Sequence, residues 1–293
     1  SSDVCSSDLS LLADIPELEM KPLYLGLPQW QHPQWRKLGI ETLADYARYF
    51  NCVEGNTTLY ALPKAEIVLR WRDMTDDDFR FCFKFPAAIS HKAALRHCDD
   101  LTEEFFRTLD PLARRIGQYW LQLPAAFGPD ELPALWAFLD KLPQAFQYGV
   151  EVRHPAFFAK GEAEQAFNRG LHQRGVNRVI LDSRPVHAST SSLPSVIEAQ
   201  RKKPKVPPHA VMTASNPMVR FIGGEDPAAN LPFFAAWLAK LPVWCQQGQP
   251  WLFIHTPDIG EAMTLIQFLW PHLQQAIPEI GDAPDWPQQA QLF

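Results

Sequence analysis

Eight short runs rich in β-branched and aromatic residues recur along the chain, and their spacing constrains the fold more than any other feature. They are Leu23–Leu27, Cys52–Thr57, Arg80–Phe85, Tyr119–Leu123, Tyr148–Arg153, Arg178–Ser183, Met218–Ile222 and Trp251–His255, with successive starts 28 to 40 residues apart. A barrel of eight strand–helix units in about 250 residues averages about 31 per unit. The segments between the runs carry apolar residues at helical spacing. Examples are Leu43, Ala47 and Phe50 in Glu41–Phe50, and Leu132, Leu135, Trp136 and Leu139 in Glu131–Leu142. Glu162–Arg174 and Leu231–Gln246 show similar faces; Pro232 is expected in the first turn of the latter, where proline is tolerated. Strands alternating with helices make a parallel sheet. Eight repeats favour a closed (β/α)8 TIM-type barrel over an open doubly wound sheet. No G-x-G-x-x-G follows the first run, so nothing points to a dinucleotide fold.

One connection departs from the pattern. Residues 185–216 hold Pro185, Pro194, Pro204, Pro207 and Pro208, together with Arg201, Lys202, Lys203 and Lys205. So long a connection reads as an insertion in the barrel domain, a lid or binding loop, with a short helix at Ser195–Gln200. Its basic residues either meet phosphates or form a solvated face. Residues 1–19 hold five acids, no base and a crude SSDVC-SSDL repeat. They are expected to be a non-native or disordered leader. The barrel domain then spans 20–293, with Met20 as a natural start.

The five cysteines are odd in number and form no C-x-x-C, so neither a disulfide framework nor a zinc knuckle is signalled. Cys52 and Cys82, inside apolar runs, read as small core residues. No secretory signal is legible and no apolar run is long enough to span a membrane. A cytoplasmic protein with no membrane partner is therefore expected. The net charge of −6 sits almost wholly in the leader, which leaves a body of net −1. A nucleic-acid binder usually carries a basic surplus, so that partner is disfavoured.

Side chains on a strand alternate between faces, and the outer face of a barrel must pack on helices. Phe81, Phe83 and Phe85 claim the outer face of the third run and leave Cys82 and Lys84 inward. The same parity turns Trp120 and Gln122, Glu151 and Arg153, Arg220, and Phe253 and His255 inward. The second run places Cys52, Glu54 and Asn56 on one face. The sixth is apolar on both faces, and Asp182 shares a face with Arg184 there. Most of these polar residues lie toward the C-terminal ends of their strands, where barrels build active sites. Buried charges must pair, be solvated or serve a ligand. The set is thus either a polar ligand pocket or a self-satisfied ion network that closes the barrel.

Three loops favour the pocket. Gly223-Gly224 follows the seventh run, where barrels often bind phosphate through backbone N–H groups. His255-Thr256-Pro257-Asp258 ends the eighth, with Thr256 a candidate N-cap. Trp30 and Trp35 follow the first run and could stack on a ligand at the rim or form part of a packed lid.

Six segments occur in an order that resembles a known family: Gly26-Leu27-Pro28-Gln29-Trp30, Val53-Glu54-Gly55-Asn56-Thr57-Thr58, Phe83-Lys84-Phe85-Pro86, Leu121-Gln122-Leu123-Pro124, Val150-Glu151-Val152-Arg153-His154-Pro155 and Val219-Arg220-Phe221-Ile222-Gly223. The chain from about residue 20 onward is similar to the YecE-like proteins, the domain of unknown function 72 family. That resemblance implies a TIM-type barrel in a bacterial, cytosolic protein, and no established activity. Gly55 stands where members often carry a bulkier residue, and Ile222-Gly223 where they often carry His-Gly. The second departure removes a histidine that a metal site would need.

The leading expectation is an enzyme acting on a small polar or anionic molecule by acid–base chemistry. Glu54, Glu151, Asp182 and His255 are the candidate proton carriers. Asn56, Lys84, Gln122, Arg153, Arg220, Gly223, Gly224 and Trp30 are the candidate substrate contacts, and arginine's planar fork suits carboxylate or phosphate. The alternatives are a metal-dependent isomerase, hydrolase or nuclease-like barrel using Glu54, Glu151, Asp182 and His255, and a non-catalytic ligand- or nucleic-acid-binding module. Nothing in the sequence requires a cofactor or metal, and nothing sets an oligomeric state.

Overall fold

The computed structural model describes residues 21–288. The leader at 1–19, and Met20 with it, lies outside the described residues. Eight parallel strands close in sequence order into a barrel: β1 (Tyr24–Leu27), β2 (Cys52–Gly55), β3 (Arg80–Lys84), β4 (Ile116–Gln122), β5 (Tyr148–Glu151), β6 (Asn177–Asp182), β7 (Met218–Ile222) and β8 (Trp251–His255). Closure comes from β1 against β8, with Tyr24 opposite Trp251 and Gly26 opposite Phe253. This is the (β/α)8 barrel that the spacing implies.

The helices are α1 (Pro33–Arg36), α2 (Leu43–Tyr46), α3 (Ala65–Asp73), α4 (Asp99–Leu109), α5 (Leu132–Asp140), α6 (Glu162–Gln173), α7 (Arg184–Ala188), α8 (Pro194–Lys202), α9 (Pro227–Gln247) and α10 (Ala262–Ala276). Two differ from expectation. The helix expected over Glu41–Phe50 shrinks to the single turn of α2, fixed by a capping box between Thr42 and Asp45. The ninth starts earlier, capped by Asp226 with Pro227 in its first turn, so Pro232 lies inside it.

The barrel interior is a packed stack rather than a pore. Tyr24, Cys52, Cys82, Trp120, Val179, Met218, Trp251 and Phe253 fill it, with Tyr24 and Trp251 stacked at 4.0 Å. Glycine makes room for these rings: a Cβ at Gly117 would stand 2.1 Å from the Trp251 indole. The outer faces, Phe81, Phe83, Leu121, Val150, Val219 and Ile254 among them, pack on the helices. Above the Trp120–Phe253 level, at the C-terminal ends of the strands, Glu54, Lys84, Glu151, Arg220 and His255 are buried, while below it the buried polar Gln118 donates to the Asn216 carbonyl at 3.0 Å.

The β6 ambiguity resolves by packing. Val179 joins the interior stack and Ile180 the outer core. Asp182 follows Ile180 outward, where its Oδ2 accepts the Trp237 indole N–H of α9 at 2.8 Å. Residues 185–216 are not one long loop. Val186 of α7 and Val196 and Ala199 of α8 are buried. Val186 and Ala199 cluster with Leu181, Ile222 and Val206, so the insertion sits on the β6–β7 side of the mouth.

Candidate functional site

At the mouth, the guanidinium of Arg220 lies between two carboxylates from other strands. Its Nε donates to Glu54 Oε1 at 2.9 Å and its Nη1 to Glu151 Oε1 at 2.7 Å. The remaining oxygens are also taken. Glu54 Oε2 is 2.7 Å from His255 Nε2, and Glu151 Oε2 accepts from Arg153 Nε and Nη2 at 3.2 and 3.1 Å. The Trp120 ring is the floor, with Arg220 at 4.8 Å and the Lys84 ammonium at 4.5 Å from its centroid. Lys84 Nζ donates to Gln122 Oε1 at 3.0 Å, and no carboxylate lies within ion-pair reach of it among the described residues. Glu54, Lys84, Glu151, Arg220 and His255 are all buried. Arg153, about a fifth exposed, is where the cluster meets solvent.

These contacts set the protonation states. Burial works to raise the Glu54 carboxyl, but the Arg220 charge, helped by His255, holds it well below the usual range. Against the same burial, Arg220, Arg153 and Lys84 keep Glu151 at about 2. Desolvation pulls His255 down to about 4 despite Glu54, so its ring is neutral at pH 7. Lys84 is lowered to about 7, first by burial and then by repulsion from Arg220, with Glu54 and Glu151 only partly opposing.

The insertion adds a cation that the strand pattern did not reveal. Val196 and Ala199 of α8 are buried, Ala199 in a cluster with Leu181 and Ile222, and Lys203 is the extended residue that follows the helix. Burial first, and then Arg220, lowers the Lys203 ammonium to about 8. Its carbonyl accepts from His187 at 3.1 Å, and the next carbonyl, of Pro204, takes the Ser183 hydroxyl at 2.6 Å. Arg201 and Lys202 lie on the opposite, solvated face and pair with Glu198.

The structure thus gathers Glu54, Lys84, Gln122, Glu151, Arg153, Arg220 and His255, and leaves five expected residues out. Asp182 faces the helix layer and pairs with Arg184 at 2.8 Å. The Gly223 N–H donates to the His255 carbonyl at 2.8 Å and the Gly224 N–H to Asn230 Oδ1 at 2.7 Å, so neither is offered to a phosphate. Trp30 packs edge-on against Trp71 and Phe81 on the outer side, the packed arrangement rather than a stacking platform. Asn56 stands at the wall, its Nδ2 donating to the Pro28 carbonyl at 3.1 Å and its Oδ1 buried without a partner. Thr256 is no cap, since Asp258 accepts the Gly260 N–H instead. A hollow of about 620 Å³ lined by Lys21, Asn51, Asp78 and Glu279 opens at the other, N-terminal end of the barrel, remote from these charges.

The metal alternative fails on donor geometry. Asp182 is turned away, and all four oxygens of Glu54 and Glu151 already hold Arg or His groups. Among the described residues, no helix is long and apolar enough to cross a membrane.

Comparison with known proteins fits this architecture. The chain is 67% identical over 271 residues to the UPF0759 protein YecE of Escherichia coli K12, which covers 92% of this chain and all of that protein. The counterpart of Escherichia coli O157:H7 is 66% identical over the same length. A DUF72 family protein of Enterococcus faecalis V583 superposes with a TM-score of 0.66 over 91% of this chain and 99% of its own, at 17% identity. One from Thermotoga maritima MSB8 gives 0.62 over 86% and 99%, also at 17% identity. At that identity the solved structures speak to the fold alone. A family model, "Protein of unknown function DUF72", matches residues 24–291, and the chain belongs to that family.

Proposed function

We propose that the barrel mouth binds a small anionic molecule and moves a proton on it, with Lys84 as the proton carrier. The observation behind this reading is a buried amine without a carboxylate partner, held against Trp120 and Gln122. A purely structural network would pair its cations. This one leaves Lys84 free while every oxygen of Glu54 and Glu151 is engaged. An amine poised near pH 7 can both take and return a proton there. Glu54 and Glu151, locked as carboxylates, position Arg220 and His255 and lend their charge to the field around Lys84. Arg153 is the first contact for an incoming anion.

A nucleic-acid-binding module gains little support, because Arg201 and Lys202 are already engaged with Glu198. The test combines NMR of ¹³C-lysine side chains with thermal unfolding. Lys84 is expected to titrate near pH 7, and millimolar phosphate or acetate to raise both that midpoint and the melting temperature through linkage. Lys84→Met should keep the fold and lose most of the anion effect. A wild-type protein indifferent to every small anion would leave the mouth as an ion network that closes the barrel.

A further inference from the structure

We infer that Lys84 is the nucleophile of the mouth and condenses with the carbonyl of a small keto acid to form an imine. This rests on the reading of the mouth as an anion site with Lys84 as its reactive amine, and it names the substrate class and the first step. Three neighbouring strands place the groups. In register, Lys84 of β3 stands opposite Trp120 of β4, and Gln122 of β4 opposite Glu151 of β5. Lys84 and Arg220 lie over the same Trp120 ring, at 4.5 and 4.8 Å from its centroid. Arg220 keeps its charge because Glu54 and Glu151 both touch it, so the cost of holding two cations on one ring falls on the amine. Among the described residues no carboxylate lies within ion-pair reach of Lys84 to offset that cost. A lysine buried beside another cation is suited to attack a carbonyl, since only the neutral amine has a free electron pair. The lowering of Lys84 to about 7 agrees with this geometry. At pH 7.5 Lys84 is then mostly neutral, whereas an ordinary lysine is neutral in only about one molecule in a thousand.

The surroundings of Nζ fit the product better than the ammonium. An ammonium has three N–H donors, and the described residues accept one of them, at Gln122 Oε1, 3.0 Å away. A protonated imine has a single N–H and a single charge, which Gln122 and the Trp120 face match. The ammonium first releases one proton to solvent. The neutral amine attacks the carbonyl carbon, the N–C bond forms and the carbonyl π pair moves to oxygen. One N–H proton follows to that oxygen, which gives a carbinolamine. The nitrogen lone pair then forms the C=N bond as the C–O bond breaks, and the oxygen leaves as water with the proton first released. No oxidant or reductant is consumed, and the protons that Lys84 moves are its own, onto the departing oxygen. The acid group of the substrate follows from Arg153. Its Nε and Nη2 go to Glu151, its Nη1 meets no partner among the described residues, and it is about a fifth exposed. Gln122, which holds the amine, is also partly exposed. A keto acid entering past these two side chains meets a guanidinium for its carboxylate and an amine for its carbonyl.

The full chain is treated at pH 7.5 with pyruvate and sodium cyanoborohydride, which reduces a protonated imine to a stable secondary amine. Peptide mass mapping of the wild type should find the adduct on Lys84 in about tenfold or greater excess over any other lysine. Lactate, with the same carboxylate and no carbonyl, should raise the melting temperature and leave no adduct. Lys84→Arg, shown to be folded by circular dichroism, should lose the adduct; the wild-type map locates it even where that variant does not fold. A melting temperature that rises with pyruvate and lactate but no reducible adduct, or an adduct spread evenly over the lysines, overturns the imine and leaves the anion site standing. Acetone has the carbonyl and no acid group. An equal preference for Lys84 over the other lysines with acetone overturns the keto-acid assignment and keeps the nucleophile. No response of the melting temperature to either acid, together with no adduct, overturns the underlying reading of the mouth, and this inference with it.

Discussion

Replacing Arg220 with alanine leaves Glu54 and Glu151 buried at the mouth without the cation that now touches both. Removing one member of a buried charge network typically costs about 3–5 kcal/mol, since the stranded partner keeps its desolvation penalty. Arg220→Ala is therefore expected to lower unfolding free energy by that amount in urea titration. Adding Glu151→Gln to the same chain should recover part of the loss, because the two sites couple. A loss under about 1 kcal/mol would mean that water had already relieved the pair. Lys84 behaves in the opposite sense. Its depressed pKa means the surroundings disfavour its charge, so Lys84→Met should stabilise the protein at pH 6, by about 1–3 kcal/mol. Arginine and lysine thus differ at this mouth in what they do, one as keystone and one as a charge held against its preference. Both were legible as inward residues from strand parity. That Arg220 is consumed by carboxylates was not, because parity fixes a face and not a partner.

At the scale of elements, the strands were readable where one face was apolar. Phenylalanines on alternate positions of β3 settled Lys84, and valines on β5 settled Glu151. In β6 both faces are apolar, so parity gave no answer there, and the Trp237 indole of α9 decides that Asp182 points outward. Buried charge in the helix layer was equally invisible. Arg178, on the outer face of β6, pairs with Glu164 of α6 at 3.0 Å, and His209 of the insertion meets the same carboxylate at 2.5 Å. No periodic pattern announces a contact between residues 45 positions apart in sequence. The insertion is thus held at several places, among them α8 on Leu181 and Ile222, Pro204 on Ser183, His209 on α6 and Thr213 on Arg178. Ala199→Asp would put a carboxylate into the first contact at a local cost of about 2–3 kcal/mol. Amide hydrogen exchange should then accelerate over residues 194–206 while β1–β8 keep their protection. Uniform acceleration across the barrel would show instead that α8 is part of the cooperative core.

The whole molecule should feel these groups through pH. Glu54 and Glu151 sit below the 4.5 of a free glutamate, Glu151 at about 2, so their contribution is present above pH 4.5 and drains away as pH falls toward 2. His255 drops from 6.5 to about 4 on folding. Between those values the unfolded chain takes up the proton first, so stability falls as pH falls through that window. Lys84 drops from 10.5 to about 7, and the same sign applies: stability rises with pH from 7 toward 10.5. All of these groups act in one direction, each with a slope of at most about 1.4 kcal/mol per pH unit. Unfolding free energy is therefore expected to climb from acid to mildly alkaline pH instead of peaking near the sequence pI of about 5.8. Two variants divide the curve. His255→Asn should flatten it only between about pH 4 and 6.5, and Lys84→Met only above about pH 7. Parallel curves for wild type and Lys84→Met from pH 7 to about pH 9 would mean that Lys84 keeps its proton throughout. That result would remove the mobile proton from the mouth while leaving its positive charge, and so would favour binding over chemistry.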